Sequence, residues 1–154
     1  MIENVDELIS DFYKVANLAQ CDITRGNILY ESKPAPHRAS ILPKGKQAVY
    51  VFSLPSPYFV ALKVGKVGPN SNARFLSQHY NPESSRSNLA KSLLGDSTIW
   101  TELGIEKTEH GQIGNWIRHN VDRENFFIDA KKDMLVLSLL EIFLQCRLNP
   151  RYEG

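Results

Sequence analysis

Hydrophobic residues recur at intervals of three and four positions near the start of the chain. In NVDELISDFYKVANLAQ they are Val5, Leu8, Ile9, Phe12, Val15, Ala16 and Ala19. This spacing places them on one face of a helix, with polar residues on the other face. Asn4 and Glu7 stand three residues apart, as in a capping box. The pattern predicts an amphipathic helix that packs on the rest of the protein.

Runs rich in β-branched and aromatic residues predict strands further along the chain. QAVYVFSL (47–54) and YFVALKVGKV (58–67) are separated by the turn-forming sequence PSP, which predicts a β-hairpin. ENFFIDA (124–130) predicts a third strand. Between residues 21 and 47 the periodicity fades, and prolines and glycines indicate a connecting segment.

Helical patterns occupy much of the remaining sequence. PNSNARFLSQHY (69–80) predicts a loop that leads into a short helix, and NLAKSLLGD (88–96) predicts another that closes near Gly95. Residues 99–120 show no clear period. The apolar run DMLVLSLLEIFLQCRL (133–148) predicts a last helix, ended by Pro150. The order of elements predicts an α+β fold, with an antiparallel sheet of about three strands flanked by helices, rather than a doubly wound sheet.

Composition narrows the class of protein. The chain has 154 residues, of which 42% are hydrophobic and 23% are charged, the values of an ordinary globular protein with one core. The first 20 residues lack the apolar run of a signal peptide, so we expect an intracellular, cytoplasmic protein. Cys21 and Cys146 lie far apart in sequence and are interpreted as free thiols, although a single disulfide stays open.

Charge is distributed unevenly along the chain. The formal net charge is +1, yet residues 33–91 carry nine Lys or Arg and one acidic residue, for a local charge of +8. The first 32 residues carry −4 and the last 63 carry −3. A basic block suits a phosphate backbone, and a solvated basic surface explains it equally well. Candidate nucleic-acid contacts in this block are Lys66, Asn72, Arg86 and Lys91.

Four features stand in a fixed order along residues 46–154. Ala48-Val49-Tyr50 lies on the first strand of the hairpin, and Lys63-Val64-Gly65 lies on the second. Arg74 follows on a short helix, and Glu141 lies on the last helix. This ordered set resembles the GIY-YIG nuclease superfamily. The resemblance implies a GIY-YIG-like domain at residues 46–154, preceded by a helix and linker at residues 1–45.

The resemblance also implies an activity, the hydrolysis of DNA phosphodiester bonds with magnesium, or manganese, as cofactor. Tyr50 would then act as general base, assisted by Lys63 and Lys66. Arg74 can donate two hydrogen bonds to one phosphate. Glu141 would anchor the single metal ion, because magnesium takes oxygen ligands and keeps most of its water. Each residue also has a plain structural interpretation, and for Glu141 it is a thin polar stripe shared with Ser138.

Three positions depart from the family pattern. Lys63 stands where many members have tyrosine. His79 follows Arg74 by five residues rather than four, about 140° around a regular helix instead of about 40°. His79 would therefore need an irregular helix to reach the site, would contact DNA from the side, or would be an ordinary surface histidine. Beyond Pro150, Glu153 stands where many members have asparagine, while Asn149 precedes the proline.

Two alternatives remain at this stage. The departures fit a catalytically silent domain that binds nucleic acid. The chain also fits an interaction subunit of a larger complex, with the N-terminal helix as its docking surface. Since 154 residues leave little room for a separate recognition domain, specificity would come from residues 80–120, from a homodimer or from a partner subunit. No membrane partner is expected.

Overall fold

A four-stranded antiparallel sheet organises the protein. The computed structural model describes residues 2–55, 59–69, 71–84, 88–132 and 134–152. The strands are β1 (Leu29–Lys33), β2 (Lys46–Leu54), β3 (Val60–Val67) and β4 (Asp122–Asp129). The helices are α1 (Val5–Leu18), α2 (Asn72–Leu76), α3 (Leu89–Gly95), α4 (Ser97–Leu103), α5 (Ile113–Asn120) and α6 (Met134–Leu148). Short 3-10 helices cover Gln78–Tyr80 and His110–Gln112.

The strands lie in the order β1-β4-β2-β3, and every neighbouring pair is antiparallel. The predicted hairpin is confirmed as β2 and β3, and the predicted third strand is β4. Ser56 and Pro57 of the PSP turn, and Tyr58 after it, lie outside the described residues. β3 is an edge strand, so its outer side is open to contacts from side chains beyond the sheet.

Each face of the sheet carries its own hydrophobic core. Tyr50 and Phe52 of β2 pack with residues of α2, α3, α4 and α5. Val49 and Val51, which point to the opposite face, pack with α1 and α6. The alternation follows from the two-residue period of a strand. Helices therefore cover both faces of the sheet, with α1 and α6 on one side and α2 to α5 on the other.

The N-terminal helix is confirmed, and its predicted cap is wrong. Leu8, Phe12 and Ala16 of α1 are buried, as the period predicted. Asn4 has a left-handed backbone with φ of 56°, and its side chain makes no hydrogen bond to a backbone N–H of the first turn. Its amide instead donates to the Glu7 carboxylate. Two side chains thus bond to one another where a capping box would bond to the backbone.

The predicted α+β class with an antiparallel sheet is confirmed, but the sheet has four strands rather than about three. The additional strand, β1, lies in the segment without a clear period. β1 pairs with β4, and the Tyr30 hydroxyl donates to the Glu124 carboxylate over 2.6 Å. The backbone N–H of Ile2 donates to the same carboxylate over 3.0 Å. These tertiary contacts hold β1 and the start of the chain against the sheet, and no local periodicity encodes them.

The tail after α6 is anchored by an arginine. The Arg151 guanidinium donates to Asp96 over 2.6 Å and to Glu102 over 2.7 Å. The backbone N–H groups of Arg151 and Tyr152 donate to the carbonyls of Ala61 and Leu62 on β3. Asn149 is exposed, and Glu153 lies outside the described residues. The described part of the tail therefore fixes α3 and α4 beside the outer strand.

Both cysteines are free thiols, as expected, with Cys21 half-buried and Cys146 exposed. Within the described ranges, no helix has the length and apolar character needed to cross a membrane.

Candidate active site

Tyr50 and Gly65 lie opposite one another on neighbouring strands. A Cβ atom added to Gly65 would stand 2.5 Å from the Tyr50 hydroxyl oxygen. Such a distance is far below any van der Waals contact, so only glycine leaves room for this tyrosine. The two triplets of the hairpin therefore depend on one another. Gly65, in the second triplet, has no side chain and leaves the space that Tyr50, in the first triplet, fills.

His79 contacts the hydroxyl of Tyr50. Its Nε2 lies 2.7 Å from the Tyr50 Oη, and its Nδ1 accepts a hydrogen bond from the backbone N–H of Leu89 at 3.3 Å. Because Nδ1 is the acceptor, the neutral ring carries its proton on Nε2. His79 therefore donates to Tyr50, and it cannot take the proton of the tyrosine in this state.

An irregular helix brings His79 to this position. α2 ends at Leu76, and the chain continues through Ser77 into the 3-10 helix Gln78–Tyr80. This break changes the angle between Arg74 and His79 that a continuous helix would impose. With 1% of its surface exposed, His79 is neither a surface histidine nor a lateral contact to DNA, so both of those interpretations are wrong.

Burial determines the protonation states of Tyr50 and His79. Tyr50 is 2% exposed, and burial raises its pKa to about 12, with Glu141 also raising it and Arg74 and Arg123 opposing the rise. Burial, followed by the positive charge of Lys63, lowers the pKa of His79 to about 3. At neutral pH the free protein therefore holds a protonated tyrosine beside a neutral histidine.

Lys63 lies on β3 opposite Phe52 and is buried on the Tyr50 side of the sheet. Burial lowers the pKa of its ammonium, Arg74 lowers it as well, and Glu141 raises it. Arg74 and Glu141 thus act on both Lys63 and Tyr50.

Glu141 belongs to a helix on the opposite face of the sheet. The carboxylate forms an ion pair with Lys66 of β3, whose Nζ lies 2.8 Å from Oε2. The same ammonium donates to the Ser138 hydroxyl over 3.0 Å. The Glu141 side chain is 18% exposed, and its negative charge still raises the pKa of Tyr50 and of Lys63. Glu141 therefore acts across the edge strand β3, although its helix packs on the other core.

A cleft of about 460 Å³ opens between the end of β3, α2 and the start of α6. Its lining residues are Lys66, Val67, Gly68, Ser71, Ala73, Arg74, Gln78 and Met134. Lys66 and Arg74 give this cleft a positive lining, and Arg74 is exposed. An anionic ligand in this cleft would meet both cations and approach the carboxylate that Lys66 contacts.

Of the other three predicted nucleic-acid contacts, the two that the structure describes lie in different environments. The side chain of Asn72 accepts a hydrogen bond from the backbone N–H of Leu42 over 3.0 Å, so it holds the linker before β2 against α2. Lys91 is exposed on α3. Arg86 lies outside the described residues. Asn72 therefore has a structural contact that its sequence context did not indicate.

Glu141 is the carboxylate of this site that fits a magnesium ion. One carboxylate together with a substrate phosphate and water satisfies this hard cation, which keeps several waters. Among the residues that the structure describes, no three His, Cys, Asp or Glu side chains converge on a common point. A site of this kind would therefore be completed by substrate oxygens, with Glu141 as the protein ligand.

Arg123 is a buried residue of the site that sequence reasoning missed. It is 0% exposed, donates from Nη1 to the Phe75 carbonyl over 2.8 Å, and donates from Nε to Asn125 over 3.0 Å. Its guanidinium lies 5.8 Å from the Tyr50 ring centroid. In the sequence, the polar run Asp122–Asn125 directly before FFI could have indicated Arg123. Polar side chains at the start of a buried strand need hydrogen-bond partners inside the protein.

Comparison with known proteins adds no relative: no family model matches the chain, and no curated protein or solved structure matches it.

Proposed function

We propose that the protein is a magnesium-dependent endonuclease that hydrolyses DNA phosphodiester bonds. One observation carries the proposal: the Tyr50 hydroxyl is held over Gly65 by a hydrogen bond from His79, and three charged side chains act around it. Arg74 and Glu141 act on Tyr50, and Lys63 acts on His79. A phenol fixed among cations and one carboxylate supports proton transfer next to a bound anion.

Tyr50 is the general base in this proposal. Its phenolate takes a proton from the attacking water, and the water oxygen bonds to phosphorus. The bond between phosphorus and the leaving ester oxygen breaks with its electron pair on that oxygen, which then takes a proton from solvent. His79 supports the phenolate, since its Nε2–H already points at the tyrosine oxygen. Arg74 and Arg123 also favour the negative charge, and burial opposes it. A phosphate at Arg74 would bring its scissile bond to the edge of β3.

The three basic side chains of the site lie at different positions and therefore have different roles. Arg74 is exposed in the cleft and can fork onto two phosphate oxygens. Lys63 is buried on the Tyr50 side of the sheet, where its charge acts on His79, the donor to Tyr50. Lys66 neutralises Glu141 in the free protein. Magnesium held by Glu141 and the substrate phosphate would supply charge neutralisation for the transition state.

A catalytically silent domain that binds nucleic acid is the second candidate, and one observation favours it. Tyr50 and Lys63 are 2% and 3% exposed, so water reaches the proposed base only if the edge of β3 opens. In a silent domain, the contacts around Tyr50 and Lys63 would stabilise the hydrophobic core, and the exposed cations would contact a phosphate backbone. An interaction subunit of a larger complex belongs to this alternative as well.

Plasmid nicking tests the proposal, with wild type, Glu141→Gln and Arg74→Ala compared in magnesium, in manganese and in chelator. The proposal expects metal-dependent nicking by the wild type and a loss of about a hundredfold or more in each variant. Glu102→Gln is the matched control, since Glu102 pairs with the tail arginine away from the cleft. Nicking that survives both substitutions would reject the proposed site.

DNA binding measured over a range of salt separates the two candidates. A silent domain predicts binding that weakens steeply with salt, without cleavage in either metal. An interaction subunit predicts neither binding nor cleavage. Wild type that binds and nicks supports the endonuclease.

A further inference from the structure

The cleft beside β3 has two walls, which come from elements on opposite faces of the sheet. α2 and the 3-10 helix after it cover one face and contribute Ala73, Arg74 and Gln78. The end of β3 and the start of α6, which covers the other face, contribute Gly68 and Met134. Because β3 is an edge strand, no further strand of the described sheet separates the two walls. A ligand in the cleft would therefore contact both.

Gln78 brings a carboxamide with unused hydrogen-bonding groups to this cleft. Its backbone carbonyl accepts from the Ser84 hydroxyl over 2.7 Å, whereas its half-buried side chain makes no hydrogen bond to another described residue. The break after Leu76 turns His79 inward to Tyr50, and Gln78 lines the cleft instead. A carboxamide offers an oxygen acceptor beside N–H donors. Gln78 can therefore bond to a ligand group that carries a donor next to an acceptor.

Met134 gives the other wall an apolar surface. It is 47% exposed, and its methyl carbon lies 3.9 Å from the position of a Cβ on Gly68. The side chain therefore lies against the end of β3, along the cleft. A methionine at such a position is polarizable and adapts its shape to a flat apolar ligand. A phosphate group alone would gain nothing from it.

The charge of the cleft suits one phosphate. The described lining residues include two cations, Lys66 and Arg74, and no acidic residue. Lys66 is already paired with Glu141, at 2.8 Å. Arg74 is exposed and is therefore the cation that an incoming anion would meet first. One guanidinium can bind one phosphate through two parallel hydrogen bonds.

These groups together match a whole nucleotide. Contacts to phosphate use cations and N–H donors, whereas a base outside the helical stack is held by apolar side chains on its face and hydrogen bonds to its edge. Arg74 provides the first kind of contact, and Met134 and Gln78 provide the second. The cleft volume of about 460 Å³ lies within the usual range for small-molecule sites. One nucleotide would enter the cleft, and the rest of a duplex would stay outside.

We propose that the cleft binds one unpaired nucleotide of a DNA strand, with its phosphate on Arg74, the edge of its base on Gln78 and the face of its base on Met134. That the strand is DNA rests on the proposed function, while the nucleotide chemistry rests on the lining of the cleft. Each base carries a donor beside an acceptor on its pairing edge. The site therefore selects an unpaired nucleotide, as in a bulge or a single-stranded gap, and not a sequence.

Binding to three DNA duplexes in chelator tests the inference: one fully paired, one with a single bulged deoxyadenosine, and one with an abasic residue at the bulge. Wild type should bind the base-bearing bulge about tenfold or more tighter than the paired duplex, because no base pair has to open. It should bind the base-bearing bulge about fivefold tighter than the abasic bulge, because only the former offers a base to hydrogen-bond. The abasic duplex controls for the flexibility of a bulge.

Two variants assign that fivefold difference to the cleft. Gln78→Ala and Met134→Ala should each remove most of it and leave the affinity for the abasic bulge unchanged. Gln112→Ala, at an exposed position directly before α5, is the matched control and should keep the difference. Equal affinity of the wild type for the two bulges, absence of binding to all three duplexes, or a difference retained in either cleft variant would overturn the inference.

Plasmid nicking separates this inference from the proposed function. Wild type that prefers the base-bearing bulge but does not nick in magnesium or manganese would reject the endonuclease and keep the nucleotide site. Wild type that nicks without this preference would reject the nucleotide site alone.

Discussion

His79 donates a hydrogen bond from Nε2 to the hydroxyl oxygen of Tyr50, at 2.7 Å in the buried core. The donor role follows from the backbone N–H of Leu89, which occupies the lone pair on Nδ1. The histidine therefore supports a negative charge on the tyrosine and does not remove its proton. Two consequences of this pair depend on pH.

The first concerns the rate of DNA cleavage. Burial raises the pKa of Tyr50 to about 12, so the phenolate is a small fraction of the protein near neutral pH. We expect the nicking rate to rise about tenfold per pH unit between about pH 7 and pH 9, because each unit raises the phenolate fraction tenfold. Single-turnover rates on a nicked-plasmid assay measure this slope. A plateau within that interval would show that another group is the base.

The second concerns stability in acid. Burial lowers the pKa of His79 to about 3 and that of His37 to about 4. Both values lie below that of an unfolded histidine, so the unfolded chain binds more protons as the pH falls from about 6.5. The free energy of unfolding should therefore decrease by about 1.4 kcal/mol per pH unit for each histidine.

Urea unfolding at a series of pH values between about 7 and 5 measures this dependence. His79→Gln, which keeps an N–H donor near the same place but cannot be protonated in this range, should make the dependence on pH shallower. His119→Gln, at an exposed position of α5, is the matched control. A steeper dependence in His79→Gln would contradict the account.

Gly65→Ala should destabilise the protein. The added Cβ would stand 2.5 Å from the Tyr50 oxygen, so the strand or the tyrosine must move, at a cost of about 1–3 kcal/mol. Gly95→Ala is the control, because a Cβ at that position meets no atom within 4 Å. Thermal or urea unfolding compares the two variants. Equal stability in both would show that Tyr50 does not fill the space above Gly65.

Lys66→Met tests the metal part of the proposal. The Lys66 ammonium pairs with Glu141 at 2.8 Å, and a cation bound by Glu141 must compete with it. A partly exposed pair contributes at most about 1 kcal/mol, so its loss should lower the half-saturating magnesium concentration by up to about fivefold. Lys132→Met, which removes the pair with Asp22, is the control. An increased magnesium requirement in Lys66→Met would contradict competition for Glu141.

The sequence predicted the elements with strong local patterns. α1, the hairpin of β2 and β3, α3, β4 and α6 follow from periodicity and β-rich composition. β1 was not predicted, because LYESK is short and half-buried. Its position depends on pairing with β4 and on the contact between Tyr30 and Glu124. α4 and α5 lie in residues whose apolar positions show no regular period over a longer window.

The candidate site was predictable as a set of residues and not as a geometry. Tyr50 and Gly65 stand out in the hairpin, but only the register places one above the other. A regular helix would separate Arg74 from His79, and the break after Leu76 places His79 at Tyr50. Arg123 is in contact with this core through tertiary packing alone.

Magnesium-dependent plasmid nicking by wild type and Tyr50→Phe tests the central claim most directly, because the substitution removes one oxygen and preserves the ring. Tyr13→Phe is the control, since the Tyr13 hydroxyl contacts the backbone of Ile28, away from the cleft. The account predicts nicking by wild type and Tyr13→Phe, and a loss of about 10²–10⁴ in Tyr50→Phe. Nicking by Tyr50→Phe at the wild-type rate would contradict it.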